Sequence, residues 1–186
     1  MTGRQNGKRT LFLDRDGVVN EEIGYLSQPE QVRFVPGIFD LCRKAQALGY
    51  RLIIVTNQAG IARGYYTEED FHALMQWMRA EFAREGVALD QYYFCPHHPE
   101  HGVGAYRKEC PDRKPNPGML LRAAGEFDLD LAQCIFVGDR CSDMAAGRAA
   151  GVGTLVLVEG VEPGPCTQPE DFLRVCDLQA ILGLLQ

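Results

Sequence analysis

The sequence has no apolar run that approaches the length of a membrane-spanning helix, and its polar, basic beginning lacks the apolar segment of a secretory signal. An excess of basic residues is also missing. The formal net charge is −6, whereas nonspecific binding of nucleic acid requires a basic face. These absences favour a globular cytoplasmic protein that neither crosses a membrane nor binds nucleic acid. Residues 1–8 are expected to form a disordered tail.

The cysteines exclude a complete set of internal disulfides, because there are seven of them. Cys95 and Cys110 stand apart, since histidines lie close to Cys95 in the sequence. The others have no spacing typical of a metal site, and we interpret most of them as thiols in a reducing compartment. They are Cys42, Cys134, Cys141, Cys166 and Cys176.

Strand-like and helix-like patterns alternate along the 186 residues, which predicts a single α/β domain, 1–186, with a doubly wound, Rossmann-like parallel sheet. The predicted strands are Thr10–Leu13, Arg51–Thr56, Gln91–Phe94, Cys134–Val137 and Thr154–Val158. The predicted helices are Gly37–Leu48, Glu68–Glu85, Pro117–Phe127, Ser142–Ala150 and Leu178–Leu185.

The most informative segment carries two carboxylates, Asp14 and Asp16, directly after the apolar run that ends at Leu13. Ligands of open α/β sheets bind beyond the carboxyl ends of the strands, so this pair is expected at the rim of a ligand site. Two carboxylates so close together repel each other. A hard cation with oxygen ligands, or a proton on one of them, would relieve that repulsion.

Three later segments also place polar side chains at the end of an apolar strand or just before a helix. One ends in Thr56 and Asn57, the next supplies Arg113 and Lys114, and the last contains Asp139. Each alone is compatible with a polar turn or a solvated lysine. Together they indicate an active site.

In this order the four segments resemble those of the haloacid dehalogenase (HAD) superfamily of phosphatases, over nearly the whole chain. The resemblance implies that Asp14 is the nucleophile, which forms an aspartyl-phosphate, and that Asp16 is the general acid and base. It further implies Mg²⁺ bound by Asp14, the backbone carbonyl of Asp16 and Asp139. Too few residues separate the motifs for an inserted cap domain, so a capless member is expected.

The same resemblance assigns residues to the phosphoryl group that is transferred. Thr56 and Asn57 would donate hydrogen bonds to it, with Gln58 and Ala59 beside them in the same motif. Lys114 would neutralise its charge and that of Asp14. Asp143 is expected to orient Lys114 or the metal-bound waters rather than to bind the metal.

A Cys/His-rich loop contains Cys95, His97 and Cys110, and cysteine and neutral histidine are typical zinc ligands. The loop resembles the long zinc loop of the heptose bisphosphate phosphatases, in the HAD branch that also includes histidinol phosphatases. That family has a second cysteine where this chain has Asp112. Asp112 is therefore the expected fourth ligand of a structural Zn²⁺, with His98 or His101 as alternatives, and a metal-free loop also stays open.

The long loop favours a heptose substrate over histidinol phosphate, whose phosphatases have a much shorter loop. The resemblance implies a Mg²⁺-dependent enzyme that removes the C7 phosphate of D-glycero-D-manno-heptose 1,7-bisphosphate for surface polysaccharide synthesis. The anomer at C1 stays open. Sugar contacts are implied for Glu22, Ile23, Gly24 and Tyr25, and contacts with the uncleaved phosphate for Arg113 and Arg140.

Three other functions are compatible with parts of the sequence. A histidinol-phosphate phosphatase is the nearest, and the loop length disfavours it. A receiver domain that accepts phosphate on an aspartate would not need the second carboxylate, Asp16. A zinc-stabilised binding module leaves four residues without a role: Asp14, Asp16, Lys114 and Asp139. A monomer that binds a small sugar bisphosphate is the expected assembly.

Overall fold

The computed structural model describes residues 9–159 and 171–185, so the predicted tail, residues 1–8, lies outside the described residues. Its strands form one six-stranded sheet in the order β3-β2-β1-β4-β5-β6, and every neighbouring pair is parallel. The strands are β1 (Thr10–Leu13), β2 (Arg51–Asn57), β3 (Gln91–Cys95), β4 (Ile135–Gly138), β5 (Thr154–Val158) and β6 (Leu173–Val175). The predicted parallel α/β sheet is confirmed.

Five α-helices connect the strands in the described part of the chain. They are α1 (Ile38–Ala47), α2 (Ala59–Ala62), α3 (Glu68–Arg84), α4 (Gly118–Phe127) and α5 (Cys141–Ala150). Helix α3 begins after Thr67, whose hydroxyl accepts a hydrogen bond from the Asp70 backbone N–H at 3.1 Å. The Asp70 carboxylate accepts one from the Thr67 N–H in return, and this reciprocal pair fixes the start of the helix.

The sheet is buried on both faces, as expected when helices cover both sides of parallel strands. Leu11 and Leu13 of β1 pack into one core with α1 and α3, whereas Phe12 points into a second core with α4 and α5. All four residues of β1 and of β4 are buried. The apolar runs that predicted these strands therefore form the centre of the sheet.

The C-terminal region differs from the prediction. The expected helix Leu178–Leu185 is a 3-10 helix, Gln179–Leu184, and β6 was not predicted. Two of the three residues of β6 are exposed, because the strand lies at the edge of the sheet. So short a segment at an edge has no apolar pattern that could identify it.

The cysteines mostly agree with the interpretation as thiols. Among the described residues, Cys42 and Cys134 are free and buried, and Cys176 is free and exposed. Cys141 is disulfide-bonded, which corrects the expectation for that residue. Cys166 lies outside the described residues. None of the described helices is long and apolar enough to cross a membrane.

Candidate active site

The carboxyl ends of β1, β2 and β4 meet at one edge of the sheet, because β1 lies between the other two strands. Asp14 follows β1 directly, and its backbone N–H donates to the Val137 carbonyl of β4 at 2.9 Å. Asp139 follows β4, and Thr56 and Asn57 end β2. The sheet register therefore brings the predicted motif residues to one place.

Lys114 is the cation at this place, and its side chain is almost fully buried. Its Nζ lies 2.8 Å from Asp14 Oδ1 and 2.6 Å from Asp143 Oδ1, and it donates to the Val55 carbonyl at 3.0 Å. Burial alone lowers the pKa of Lys114, but the two carboxylates together outweigh it, so the pKa is raised and the ammonium stays charged.

Asn57 holds the backbone of Lys114 in place. Its Oδ1 accepts from the Lys114 N–H, and its Nδ2 donates to the Lys114 carbonyl, both at 3.0 Å. The side chain of Asn57 was predicted to donate to the phosphoryl group, but in this structure its amide is bonded to Lys114. The sequence could not reveal this role, because the two residues come together only through the fold.

Three carboxylates gather beside Lys114: Asp14, Asp139 and Asp143 have one oxygen each within 4.8 Å of one another. Burial and the neighbouring Asp143 raise the pKa of Asp139 to about 6. Burial also raises the pKa of Asp14 well above its usual value, against the opposing effect of Lys114. We call Asp14, Lys114, Asp139 and Asp143 the carboxylate–lysine centre.

Both oxygens of Asp139 are buried and have no hydrogen-bond partner within the described structure. A Cβ at residue 17 would lie 2.2 Å from Asp139 Oδ2, so Gly17, with a φ of +87°, leaves the space that this carboxylate occupies. Arg140 Nε lies 3.9 Å from Asp139 Oδ2, an ion pair that is too long for a hydrogen bond. Buried carboxylate oxygens without a hydrogen-bond donor, close to two further carboxylates, fit a hard divalent cation such as Mg²⁺. Asp143 joins this group in addition to contacting Lys114.

Asp16 lies in a different network, outside the three-carboxylate group. Arg15, itself buried, donates to both oxygens of Asp16 from Nη2 at 2.8 and 2.9 Å. Asn20 Nδ2 donates to Oδ1 at 3.0 Å, and Gln58 Nε2 donates to Oδ2 at 3.1 Å. Donors on both oxygens fix the plane of this carboxylate.

A cavity of about 510 Å³ opens over these groups. Most predicted substrate residues line it, whereas Ile23 does not and is 46% exposed. The predicted lining residues are Glu22, Gly24, Tyr25, Thr56, Asn57, Gln58, Ala59, Arg113, Lys114 and Arg140. Arg63, Tyr66 and Ser142 also line it and had no predicted role, and so does His98, which was predicted only as an alternative zinc ligand.

Two arginines at the cavity are held by other parts of the chain. Arg140 Nη2 lies 2.8 Å from Glu22 Oε2, which joins the segment after β1 to the start of α5. Arg113 Nη1 donates to the His97 carbonyl at 3.0 Å, which joins the cavity to the Cys/His-rich loop. Both guanidinium groups therefore stand where a second anionic group of a ligand could bind.

Cys95, His97 and Cys110 form a second cluster, with one ligand atom each within 4.8 Å of one another. We call this the Cys–His cluster. Burial and the neighbouring Cys110 raise the pKa of Cys95 to about 12, although the His97 backbone partly opposes them. Burial also lowers the pKa of His97, which favours the neutral ring that binds zinc. Three of the four predicted zinc ligands are thus together.

The fourth predicted ligand, Asp112, is not in the Cys–His cluster. Its carboxylate Oδ2 lies 2.9 Å from Arg122 Nη1 of α4, and its Oδ1 lies 2.4 Å from the position of a Cβ on Gly118. The alternative ligand His98 uses its Nδ1 to accept from the N–H groups of Glu100 and His101. In this structure Asp112 is therefore paired with Arg122 and lies apart from the three other predicted ligands.

Comparison with known proteins identifies relatives over most of the chain. Residues 112–173 match the HAD-hydrolase-like family. The chain is 57% identical over 150 residues to D-glycero-alpha-D-manno-heptose-1,7-bisphosphate 7-phosphatase of Burkholderia mallei, covering 81% of this chain and 79% of that protein. It is 49% identical over 156 residues to D-glycero-beta-D-manno-heptose-1,7-bisphosphate 7-phosphatase of Vibrio cholerae, covering 84% of each.

A solved structure gives the same relationship. The crystal structure of D,D-heptose 1,7-bisphosphate phosphatase from B. bronchiseptica, complexed with magnesium and phosphate, matches with a TM-score of 0.80. The identity is 31%, and the match covers 96% of this chain and 97% of that one. The chain therefore belongs to the heptose-1,7-bisphosphate 7-phosphatase family of HAD-like hydrolases.

Proposed function

We propose that the protein is a Mg²⁺-dependent phosphatase that removes the C7 phosphate of D-glycero-D-manno-heptose 1,7-bisphosphate and releases heptose 1-phosphate. The observation that carries this proposal is the contact of buried Lys114 with Asp14 at 2.8 Å beneath a cavity lined by Arg113 and Arg140. A nucleophile at the floor and two cations at the wall suit a substrate with two phosphates. The names of the relatives support the heptose.

Asp14 is the proposed nucleophile. One of its oxygens forms a bond to the phosphorus of the C7 phosphate while the bond from phosphorus to the sugar oxygen breaks, and Asp16 gives that oxygen a proton. Water then attacks the phosphorus of the aspartyl-phosphate and loses a proton to Asp16. The bond from Asp14 to phosphorus breaks, and inorganic phosphate leaves.

Asp14, Asp139 and the backbone carbonyl of Asp16 are the proposed ligands of Mg²⁺, and Asp143 stands beside them. When bound, Mg²⁺ neutralises negative charge on the phosphate and the carboxylates. Lys114 contributes a second positive charge at Asp14, and Thr56 is the proposed donor to the phosphoryl oxygens. Asp143 holds Lys114 in position through its 2.6 Å contact with Nζ.

The other end of the substrate meets the wall of the cavity. Arg113 and Arg140 are proposed to bind the C1 phosphate, since guanidinium groups bind phosphate through two parallel hydrogen bonds. Glu22, Gly24 and Tyr25 are proposed to contact the sugar hydroxyls. Glu22 already lies 2.8 Å from Arg140, so it would also orient that arginine.

We further propose a structural Zn²⁺ at the Cys–His cluster, bound by three protein ligands. Its effect on the active site passes through Arg113, whose guanidinium donates to the carbonyl of His97. A metal at His97 would hold that carbonyl, and with it Arg113, at the cavity. A monomeric state and a cytoplasmic location stay predictions from the sequence.

Steady-state kinetics test the function directly. We expect kcat/KM to be highest on one of the two anomers of the heptose bisphosphate, and at least tenfold lower on histidinol phosphate. Relatives named for the alpha and for the beta anomer are both close, so both anomers are assayed. Equal or faster hydrolysis of histidinol phosphate would contradict the proposed substrate. Failure to release phosphate from any of these esters would contradict the proposed phosphatase activity.

Arg140→Gln separates binding of the second phosphate from the chemistry. We expect this variant to raise KM for the bisphosphate while it leaves KM for a sugar monophosphate unchanged. Arg79→Gln is the matched control, because Arg79 caps the Leu89 and Asp90 carbonyls and does not line the cavity. The same rise in KM for both substrates would argue against a role in binding the C1 phosphate.

A further inference from the structure

The amide of Gln58 connects the proposed general acid, Asp16, with the proposed phosphate-binding residue, Thr56. Its Nε2 donates to Asp16 Oδ2 at 3.1 Å and to Thr56 Oγ1 at 2.9 Å. A side-chain amide has two N–H donors, so both are engaged here. Gln58 is 1% exposed and has no donor left for the substrate, which differs from its expected role as a direct phosphate contact.

Tyr66 determines which way this amide faces. Its hydroxyl donates to Gln58 Oε1 at 2.6 Å, so the amide oxygen points to Tyr66 and the nitrogen to Asp16. Burial raises the pKa of Tyr66 to about 12, so the hydroxyl keeps its proton at neutral pH. The tyrosine ring lies against Gly60, where a Cβ would come within 2.3 Å of it, so a glycine at this position leaves the space that the ring occupies.

Gln58 and Tyr66 come from a part of the chain that is remote in sequence from Asp16. Arg15 and Asn20, which also hold Asp16, belong to the segment after β1, whereas Gln58 and Tyr66 follow β2. The hydrogen bonds of Gln58 are therefore what ties the carboxylate of Asp16 to the end of β2, where the phosphate is proposed to bind.

We propose that Tyr66 and Gln58 are positioning residues that hold the carboxyl group of Asp16 in line with the oxygen of the leaving group. The inference rests on the proposed function, because it assumes that Asp16 transfers a proton. Loss of the Tyr66 hydroxyl leaves the amide of Gln58 free to turn, and Asp16 then loses one of the donors that fix its plane.

The nature of the leaving group makes this consequence measurable. A sugar alkoxide is strongly basic and needs the proton of Asp16 as its bond to phosphorus breaks. The p-nitrophenolate ion is weakly basic and leaves without that proton. A misaligned acid therefore slows the cleavage of sugar phosphates and spares the cleavage of p-nitrophenyl phosphate.

The test compares kcat/KM of Tyr66→Phe and wild type on the preferred heptose bisphosphate and on p-nitrophenyl phosphate. This ratio reports the steps up to departure of the leaving group, and not the later hydrolysis of the aspartyl-phosphate. We expect a fall of about threefold to tenfold on the bisphosphate, as for loss of one hydrogen bond, and less than about twofold on the aryl ester.

Tyr92→Phe is the matched control, because it also removes a hydroxyl, one that lies 2.8 Å from His72 Nδ1 and outside the cavity. It should leave both values unchanged. Equal falls on the two substrates in Tyr66→Phe, as expected for a purely structural residue, would overturn the inference, and so would no fall on either.

A double variant gives a second, independent measurement. In an Asp16→Asn background the alignment of the acid no longer matters, so Tyr66→Phe should cause no further loss on the bisphosphate. A full additional loss would overturn the inference. Gln58→Leu should reproduce the selective loss if Tyr66→Phe fails to fold in a thermal melt. Absence of phosphatase activity in the wild type would instead contradict the proposed function.

Discussion

The carboxylate–lysine centre and the Cys–His cluster are both candidate metal sites, but different parts of the fold hold them. The two aspartates Asp14 and Asp139 directly follow neighbouring parallel strands, and Lys114 is held by hydrogen bonds to Val55 and Asn57, both in β2. In the Cys–His cluster only Cys95 belongs to a strand. His97 and Cys110 lie in a long loop whose one regular element is the 3-10 helix Gly104–Tyr106.

The difference explains why one site was predicted more completely than the other. Parallel strands leave little choice in where their carboxyl ends meet, so an acidic residue after β1 and another after β4 must become neighbours. A loop offers no such constraint, and each ligand depends on local contacts. Asp112 illustrates this, because its carboxylate pairs with Arg122 of α4 rather than with the Cys–His cluster.

The largest effect is expected at the carboxylate–lysine centre, from Asp14→Asn. An amide is a poor nucleophile and a poor ligand of Mg²⁺, so turnover should fall below detection. The fold should survive, since the pKa of Asp14 is raised by burial and the neutral amide removes a buried charge from among three carboxylates. Phosphate release and a thermal melt measure the two quantities.

Wild-type turnover in Asp14→Asn, with the substitution verified in the purified protein, would contradict the proposed nucleophile. Asp177→Asn is a suitable control, because Asp177 is an exposed aspartate near the C-terminus and only caps the Ala180 N–H. It should match the wild type in both measurements.

Removal of the metal should be the next largest effect. EDTA should stop turnover, and Mg²⁺ should restore it. Asp139→Asn should lose at least about a hundredfold in turnover at low Mg²⁺. It should also lose the rise in thermal stability that the wild type gains from Mg²⁺, a gain of about 2.7 kcal/mol at a concentration a hundredfold above Kd. Full activity after exhaustive chelation would refute the role of Mg²⁺.

The sequence predicted the sheet and placed Asp14, the proposed nucleophile, at the end of its first strand, and the reason is physical. Fully buried strands read as apolar runs, and the polar residues after them stand out. Side-chain contacts between remote segments leave no such pattern. Two such contacts therefore became visible only in the structure. They are the hydrogen bond from the Asn57 side chain to the Lys114 backbone and the one from Tyr66 to Gln58.

A smaller effect is expected at the Cys–His cluster, from Cys110→Ser. The variant should lose its zinc and show a lower Tm, by about 2 to 4 °C for each kcal/mol of stability lost, while kcat changes little and KM rises through Arg113. Zinc content, a thermal melt and steady-state kinetics measure these changes. Cys176→Ser replaces an exposed thiol and should change none of them.

Two other results would change the role assigned to the Cys–His cluster. A fall in kcat as large as that of Asp139→Asn would mean that the cluster takes part in catalysis and does not only hold the loop. Zinc below about a tenth of an equivalent in fully active wild-type protein, purified without chelator, would mean that the loop folds without metal.

The smallest effect is expected from Asp112→Ser. This variant tests whether Asp112 is a zinc ligand of the Cys–His cluster. Asp112 pairs with Arg122 and lies outside the Cys–His cluster, so the variant should keep its zinc affinity within about twofold in a chelator competition. Asp112→Cys offers a thiolate at the same position and should bind zinc more tightly if the side chain turns away from Gly118, which it now faces closely. A tenfold loss of affinity in Asp112→Ser would mean that the carboxylate leaves Arg122 to become the fourth ligand when zinc binds. The Cys–His cluster would then be completed by the metal, whereas the carboxylate–lysine centre is assembled by the strands themselves.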